Sequence, residues 1–383
     1  MGMMSRLLKS FTVAAFSVFF VVFPGLTNAQ EQDHEGGHHT PQTTEEHAEP
    51  KKGGFNAQEV IFDHVLNAHE FHFMDLPGEN GEKHPVTIPL PVILYSPQRG
   101  LDVFMSSKFH HGHEPYKGYR LSHGKIIAVK EDGVTPDETV KVLDISLSRN
   151  VVQMILALAL LVWLMTSIAK RYKNGTGVNT APKGWQNAIE PVVTFVRDEV
   201  AKPNLGPKYA KYLPYLLTIF FFILINNIFG LIPGSANVTG NIAFTAVLGV
   251  ISLIVILFSS NKHYWGHIFN PPVPGAMKPI IALVEFIGAV FTKPASLIIR
   301  LFANMLAGHI IIICLISLIF IFGDMSKGIG WGFSPVSIAF TVFIYMIEIL
   351  VAFIQAFIFT NLTAVFIGQA MEGSHHDEAH AAH

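Results

Sequence analysis

Cysteine and charged residues are scarce in this 383-residue chain. The single cysteine, Cys314, excludes a disulfide framework and any zinc site built on cysteine ligands. Only 14% of the residues are charged, and a net charge of -2 offers no basic surface for nucleic acid. Residues 212–261 contain no Asp, Glu, Lys or Arg. Because this run is long enough for two membrane crossings of about 20 residues each, the sequence predicts a polytopic membrane protein.

Residues 1–29 have the features of a secretory signal peptide. Arg6 and Lys9 precede a short apolar stretch at 11–23, and small residues follow it. The alternative is a first transmembrane helix, which would need a longer apolar stretch. Residues 30–54 are rich in His and Glu and poor in large apolar side chains, so we predict a disordered, extracytoplasmic segment. We interpret its histidines as solvated and not as a metal site.

Residues 55–142 have an ordinary composition and form a predicted extracytoplasmic extension of α+β type. The spacing of apolar residues predicts one amphipathic helix over 56–73. Alternation between Pro and Gly punctuation predicts short strands over 85–95, 100–106 and 125–129. The sequence does not indicate what this extension does.

A membrane domain is predicted over residues 143–371. The apolar stretches of crossing length are 150–169, 213–232, 241–260, 279–322 and 335–371. Residues 181–201 mix apolar and charged positions, which predicts a helix lying at the membrane surface. A glycine-rich loop is predicted at 323–334, and a histidine-rich tail at 372–383. The predicted fold class is therefore an all-α polytopic membrane protein with five crossings and a small α+β extracytoplasmic region.

Positive charge on the short loops predicts the orientation of the chain. With the start outside, the inside loops 170–211 and 261–278 carry ten Lys and Arg residues. The outside loops 233–240 and 323–334 carry only Lys327. Because cytoplasmic loops are enriched in Lys and Arg, the carboxyl terminus is predicted to lie in the cytoplasm.

The last two apolar stretches are too long to cross a membrane at right angles. As one helix at ~1.5 Å per residue, residues 279–322 would extend about 66 Å, against a hydrocarbon thickness of about 30 Å. Each stretch is therefore broken or oblique, and we favour two oblique helices that form an antiparallel hairpin. Pro294 is the candidate for a bend in the first of them.

Charged and titratable residues lie inside this hairpin, where their cost indicates function. Arg300 stands out because apolar residues flank it on both sides. Ser296, Arg300 and Asn304 are four residues apart and share one helix face, whereas His309 lies about half a turn away. The remaining ionisable groups are Glu285, Lys293 and Glu348. A structural ion pair between Arg300 and one of these carboxylates is the alternative interpretation.

In an antiparallel hairpin that turns near residue 328, residues equally far from the turn face each other, so their numbers sum to about 656. Arg300 then faces Gln355, and His309 faces Glu348. This register predicts a permanent cation opposite a neutral amide, and an imidazole opposite a carboxylate.

The sequence from Ser296 to His309, SLIIRLFANMLAGH, closely resembles the signature of subunit a of the F-type ATP synthase. Lys293-Pro294, the stretch at 355–359 and the stretch at 227–234 agree with that resemblance, which covers about residues 150–371. The histidine-rich segment and the extension are departures from the family. Glu285 stands about one residue away from the family's usual spacing.

The resemblance implies a role for each residue in the hairpin. Arg300 would be the essential cation facing the rotor, because a guanidinium keeps its proton and favours a deprotonated carboxylate beside it. His309 and Glu348 would belong to the entry half-channel for protons and Glu285 to the exit half-channel. Asn304 and Gln355 would line the rotor contact. Ser296 would share the face of Arg300, with plain packing as an equal alternative.

The resemblance also implies partners and a location. The partners would be a rotor ring of small two-helix c subunits, peripheral-stalk b subunits, the other ATP synthase subunits and membrane lipid, with no nucleic acid. The location would be the bacterial inner membrane. No cofactor is implied, and the absence of a GxxxxGK[ST] loop predicts a subunit without a nucleotide site of its own.

Three other readings compete with a proton-translocating subunit. A sodium-coupled version of the same subunit stays open, because the rotor ring mostly sets the choice of ion. An autonomous secondary transporter would usually show internal repeats, which the unequal apolar stretches do not. An intramembrane enzyme would need a nucleophile or a metal site, and residues 143–371 contain neither a GxSxG elbow nor an HExxH motif.

Overall fold

The structure is a computed structural model of the full chain. It describes residues 68–77, 83–112, 114–122, 124–130, 132–175, 184–232, 234–271, 273–274 and 277–371. The predicted signal peptide at 1–29, the segment at 30–54 and the tail at 372–383 lie outside the described residues. Most of the predicted helix over 56–73 lies outside them as well.

The amino-terminal part of the described chain consists of short antiparallel strands. Strand β1 (Glu70–Pro77) pairs with β2 (Lys83–Pro89). Strand β3 (Pro91–Ser96) is central in a three-stranded sheet, between β4 (Gly100–Met105) and the later β7 (Leu143–Asp144). Strands β5 (Tyr119–Ser122) and β6 (Lys125–Ala128) form a hairpin. A small core joins the three-stranded sheet to the β5–β6 hairpin, made of Val92, Leu94, Phe109, Tyr119, Ile126 and Ala128.

The predicted strands are present, but the predicted helix over 56–73 is wrong at its end. Residues 70–73 belong to β1, where Glu70 pairs with Pro89 and Phe71 with Ile88. Local amphipathic spacing favours a helix, yet pairing with β2 satisfies the backbone of β1 and prevails. The predicted strand over 85–95 is divided at Leu90 between β2 and β3.

A hydrogen bond between two side chains ties the first described residues to the last strand of this region. His69 Nε2 lies 2.7 Å from Asp144 Oδ2. Burial raises the pKa of the Asp144 carboxyl, but hydrogen bonds with His69 and Ser146 outweigh burial, so this pKa lies below its usual value. In addition, Arg149 N donates to Ala68 O over 3.0 Å. The strand region is therefore fastened to the beginning of the first membrane helix.

The rest of the described chain is helical. The helices are α1 (Arg149–Lys173), α2 (Trp185–Phe195), α3 (Lys202–Leu205), α4 (Tyr209–Gly230), α5 (Ile242–Ser259), α6 (Lys262–Phe269), α7 (Lys278–Ile287), α8 (Lys293–Met325) and α9 (Lys327–Met371). Among the described residues, five helical spans are long and apolar enough to cross a membrane. They agree with the five predicted crossings, and the second span begins earlier, at Trp185.

Helix α4 lies at the centre of the membrane domain. Its side chains are buried on almost every side, with Leu216, Phe220, Phe222 and Ile223 fully buried. A helix that is apolar all round is typical of such a central position. Helices α1, α5, α8 and α9 contribute to the same hydrophobic core. The central helix packs against α9 of the hairpin, whereas α8 packs against α9 and α5.

The glycine-rich loop predicted at 323–334 is wrong. Helix α8 continues to Met325 and α9 begins at Lys327, so Ser326 alone lies between them. Gly330 contacts the backbone of Gly323, and a Cβ on Gly330 would lie 2.7 Å from Gly323 Cα. Because glycine allows this close approach of two helices, packing outweighs the lower helix propensity of the glycines.

The interruption expected near Pro294 lies just before that residue. A π-helical segment, Gly288–Thr292, joins α7 to α8. Pro294 has no N–H to donate to the carbonyl four residues earlier, which is a common cause of a break in the α-helical hydrogen-bond ladder. A second π-helical segment, Val196–Ala201, follows α2 within the predicted surface helix.

Candidate functional site

One face of α8 carries polar side chains that point away from the protein. Arg300 and Asn304 are exposed on this face, together with Ala303 and Ala307. The adjoining face carries the buried residues Leu297, Leu301 and Met305, which pack into the core. Helical spacing separates the two faces, as the sequence predicts.

Arg300 has no internal counter-ion within the described part of the chain. Among the described residues, no carboxylate lies within ion-pair distance of its guanidinium, and no side chain hydrogen bonds to it. The alternative interpretation, an ion pair with Glu285 or Glu348, is therefore wrong for these residues. An exposed cation on an apolar helix needs a partner from outside the chain or water.

Gln355 of α9 lies beside Arg300, as the register predicts. The two residues line one small hollow between α8 and α9, with Leu297, Leu301, Ile358 and Phe359. Gln355 is buried, whereas Arg300 is exposed. The amide therefore forms the inner wall of the hollow and the guanidinium its outer edge.

Glu348 lies against α8 at the level of Gly308, the residue before His309. A Cβ on Gly308 would overlap the Glu348 carboxylate. Glu348 is 7% exposed, and its Oε1 has no hydrogen-bond partner among the described residues. The residue numbers of Gly308 and Glu348 sum to 656, so this contact agrees with the predicted register. A buried carboxylate oxygen without a protein donor needs either a proton or water.

Hydrogen bonds from two asparagine side chains fix the two long helices against the rest of the domain. Asn227 Nδ2 on α4 donates to Ala352 O on α9 over 3.0 Å. Asn237 Nδ2, in the segment that follows α4, donates to Met305 O on α8 over 3.0 Å. Sequence reasoning did not assign these contacts, although asparagines within an uncharged apolar stretch were a signal for them.

Glu285 lies far from Arg300. Their fifteen residues of separation correspond to about 22 Å along a helix axis. Glu285 instead faces α6, where its Oε2 lies 3.3 Å from His267 Nδ1. Lys293 also contacts this end of the domain, since its Nζ donates to Gln369 Oε1 over 2.9 Å. Ser296 is half-buried, between these groups and Arg300.

Comparison with known proteins identifies the family of the chain. The family described as ATP synthase A chain matches residues 151–368, more than half of the chain. The chain belongs to the ATP synthase subunit a family. That match includes Glu285, Arg300, Glu348 and Gln355. Membership assigns the chain to the membrane sector of an ATP synthase, in the general role of a proton-channel subunit and not of a catalytic one.

Relatives within the family differ in how much of the chain they cover. The ATP synthase subunit a of Chloroherpeton thalassium is 48% identical over 242 residues, which cover 62% of this chain and 70% of the relative. ATP synthase subunit a 2 of Chlorobium luteolum is 36% identical over 349 residues, which cover 87% of this chain and 97% of the relative. A family described as a domain of unknown function (DUF8433) matches residues 60–145. The strand region therefore matches a different family from the one that matches the membrane domain.

Proposed function

We propose that the chain is the proton-translocating stator subunit of a rotary ATP synthase. In this role it forms two half-channels that lead protons to and from a rotor ring of c subunits. The observation that carries the proposal is Arg300, an exposed cation on an apolar helix face with no counter-ion among the described residues. A carboxylate of the ring, presented from outside, is the partner that this face lacks.

Arg300 acts as a gate because its charge is permanent. A guanidinium does not release its proton in proteins, so it cannot pass protons along. It favours the deprotonated form of a carboxylate that comes close to it, and that carboxylate must gain a proton again before it moves into lipid. A proton therefore crosses only by travelling on the ring. Each charge that crosses about 100 mV supplies about 2.3 kcal/mol to rotation.

The buried carboxylate of Glu348 and the neighbouring His309 form the entry half-channel. Glu348 is almost fully buried and has an oxygen without a protein donor, which supports a role in holding a proton or water. Glu285 lies at the opposite end of the hairpin and belongs to the exit half-channel. Asn304 and Gln355 flank Arg300 at the contact with the ring, and Ser296 continues that face.

Large exposed apolar side chains support a partner in the membrane. On α8 and α9 they include Ile299, Ile311, Phe343, Met346 and Leu350. The ring covers the part of this surface around Arg300, and lipid or peripheral-stalk b subunits cover the rest. The positive loops orient the carboxyl terminus toward the cytoplasm of a bacterial inner membrane.

The test is ATP-driven proton pumping by the whole complex in inverted membrane vesicles. We expect Arg300→Ala to abolish pumping while the complex still assembles, because the exposed side chain is not needed for packing. Lys327→Ala is the matched control, since it also removes an exposed cation from the hairpin but lies at its tip. Normal pumping by the Arg300 variant would refute the proposal.

A further inference from the structure

A histidine outside the predicted pathway faces Glu285. His267 lies on α6, and its Nδ1 is 3.3 Å from Glu285 Oε2 on α7. The His267 side chain is 54% exposed and that of Glu285 is 32% exposed. His267 therefore lies between the less exposed carboxylate and solvent. Histidine is the side chain whose ordinary pKa, about 6.5, allows it to gain and lose protons near neutral pH.

The π-helical segment Gly288–Thr292 decides which face of the hairpin this pair occupies. Glu285 and Lys293 are eight residues apart, which in an unbroken α-helix turns their side chains about 80° from each other. A π-helical turn absorbs one residue, so the separation becomes effectively seven residues and the two side chains align within about 20°. Lys293 and Arg300 are also seven residues apart. All three side chains therefore share one face.

The contacts of Tyr264 on α6 agree with this alignment. Lys293 Nζ lies 6.0 Å from the centre of the Tyr264 ring. Burial raises the pKa of Tyr264, and the nearby negative charge of Glu285 raises it further. The Tyr264 side chain thus lies near both Glu285 and Lys293.

We propose that His267 is a proton-exchange residue at the mouth of the exit half-channel, where it is paired with Glu285. The π-helical segment places Glu285 on the same helix face as Arg300. The inference rests on the proposed function and extends it to a residue and a backbone feature outside the hairpin signature. His267 takes protons from or releases them to the cytoplasmic solvent, and Glu285 exchanges them with the interior of the half-channel.

The other charged groups near His267 and Glu285 contact other residues or face solvent. Lys293 is engaged with Gln369 and the ring of Phe366. Lys278 donates to Asn270 over 2.9 Å. Lys262 and His263 lie on the exposed side of α6. Tyr264 is the remaining titratable neighbour, and its raised pKa keeps it protonated near neutral pH.

The test uses the intact complex in inverted vesicles, where the outer medium corresponds to the cytoplasmic side. ATP-driven pumping then takes protons from the medium through this half-channel. We expect His267→Ala to move the alkaline limb of the pumping rate toward acid by about one pH unit, the size of a common pKa perturbation. His267→Gln keeps a polar side chain beside Glu285 but does not titrate, so it should show the same shift. His263→Gln, on the same helix, should leave the profile unchanged.

The role of the π-helical segment is tested by changing the length of the helix. Deleting Val290 leaves fourteen residues from Glu285 to Arg300, which a regular α-helix accommodates with the same alignment. We expect this deletion to keep pumping. Exchanging Glu285 and Phe286 rotates the carboxylate by about 100° and should impair pumping.

The outcomes separate this inference from the proposed function. A wild-type pH profile for His267→Gln would overturn the exchange role, even if Arg300→Ala abolishes pumping. Loss of pumping in a Val290 deletion that assembles normally would overturn the alignment role. Pumping by Arg300→Ala would instead remove the proposed function on which both roles depend.

Discussion

Replacing Gly308 by alanine tests the position of Glu348 with a single added methyl group. A Cβ at Gly308 would overlap the Glu348 carboxylate, so the carboxylate must move aside. Crowding of this kind in a packed interior costs about 1–3 kcal/mol. Alanine also gains about 1 kcal/mol over glycine in the interior of a helix. The net cost to folding is therefore between about zero and about 2 kcal/mol, so we expect the complex still to assemble.

Proton pumping should respond more strongly than assembly. If the crowding cost of about 1–3 kcal/mol displaces the Glu348 carboxylate from the position in which it exchanges protons, the pumping rate decreases between about fivefold and about a hundredfold. Each ~1.4 kcal/mol corresponds to a factor of ten in rate. Pumping in inverted vesicles, normalised to the amount of assembled complex, measures this effect. In the double variant Gly308→Ala/Glu348→Asp, the shorter acid should restore part of the rate, and the two substitutions should not be additive.

Gly323→Ala is the matched control on the same helix. A Cβ there meets no described atom within 4 Å, so it gains helix propensity without crowding. We expect this variant to pump normally. Equal pumping by Gly308→Ala and Gly323→Ala would show that the carboxylate of Glu348 does not work from the position described, and the entry half-channel would need other residues.

Two further predictions concern carboxylates. Glu348→Gln should slow proton uptake while ATP hydrolysis continues, and an unchanged pumping rate would remove this residue from the pathway. In the strand region, the lowered pKa of Asp144 predicts that its pairing with His69 stabilises the fold above the ordinary value of about 3.9 and is lost as the pH falls through the lower folded value. Amide hydrogen exchange of β7 and its neighbours measures this loss below about pH 4, and the loss should be absent in Asp144→Asn.

The membrane part of the fold could be predicted because one physical rule dominates it. Uncharged apolar stretches of crossing length form helices in lipid, and the structure has five such spans. The hairpin register could be predicted as well, because the polar residues of two long apolar helices have few places to meet. The hollow shared by Arg300 and Gln355 and the contact of Gly308 with Glu348 follow from it.

Other features depend on contacts that one sequence does not display. The glycines at 323–334 indicate a loop by composition, but Gly330 allows α9 to touch the backbone of α8 at Gly323. The beginning of β1 has helical spacing, and its pairing with β2 overrides that preference. The π-helical segment Gly288–Thr292 leaves no pattern that periodicity can detect, since it changes the spacing by only one residue.

The single residue between α8 and α9 has a mechanical consequence. With Ser326 alone outside the helices and Gly330 set against Gly323, the tip of the hairpin contains almost no slack. In the proposed role, a turning ring pushes sideways on Arg300, and the recoil must reach the peripheral stalk. Two long helices joined by one residue transmit that torque with little elastic deformation. A flexible loop at the same place would bend, and the bending would take up part of the work that each proton delivers.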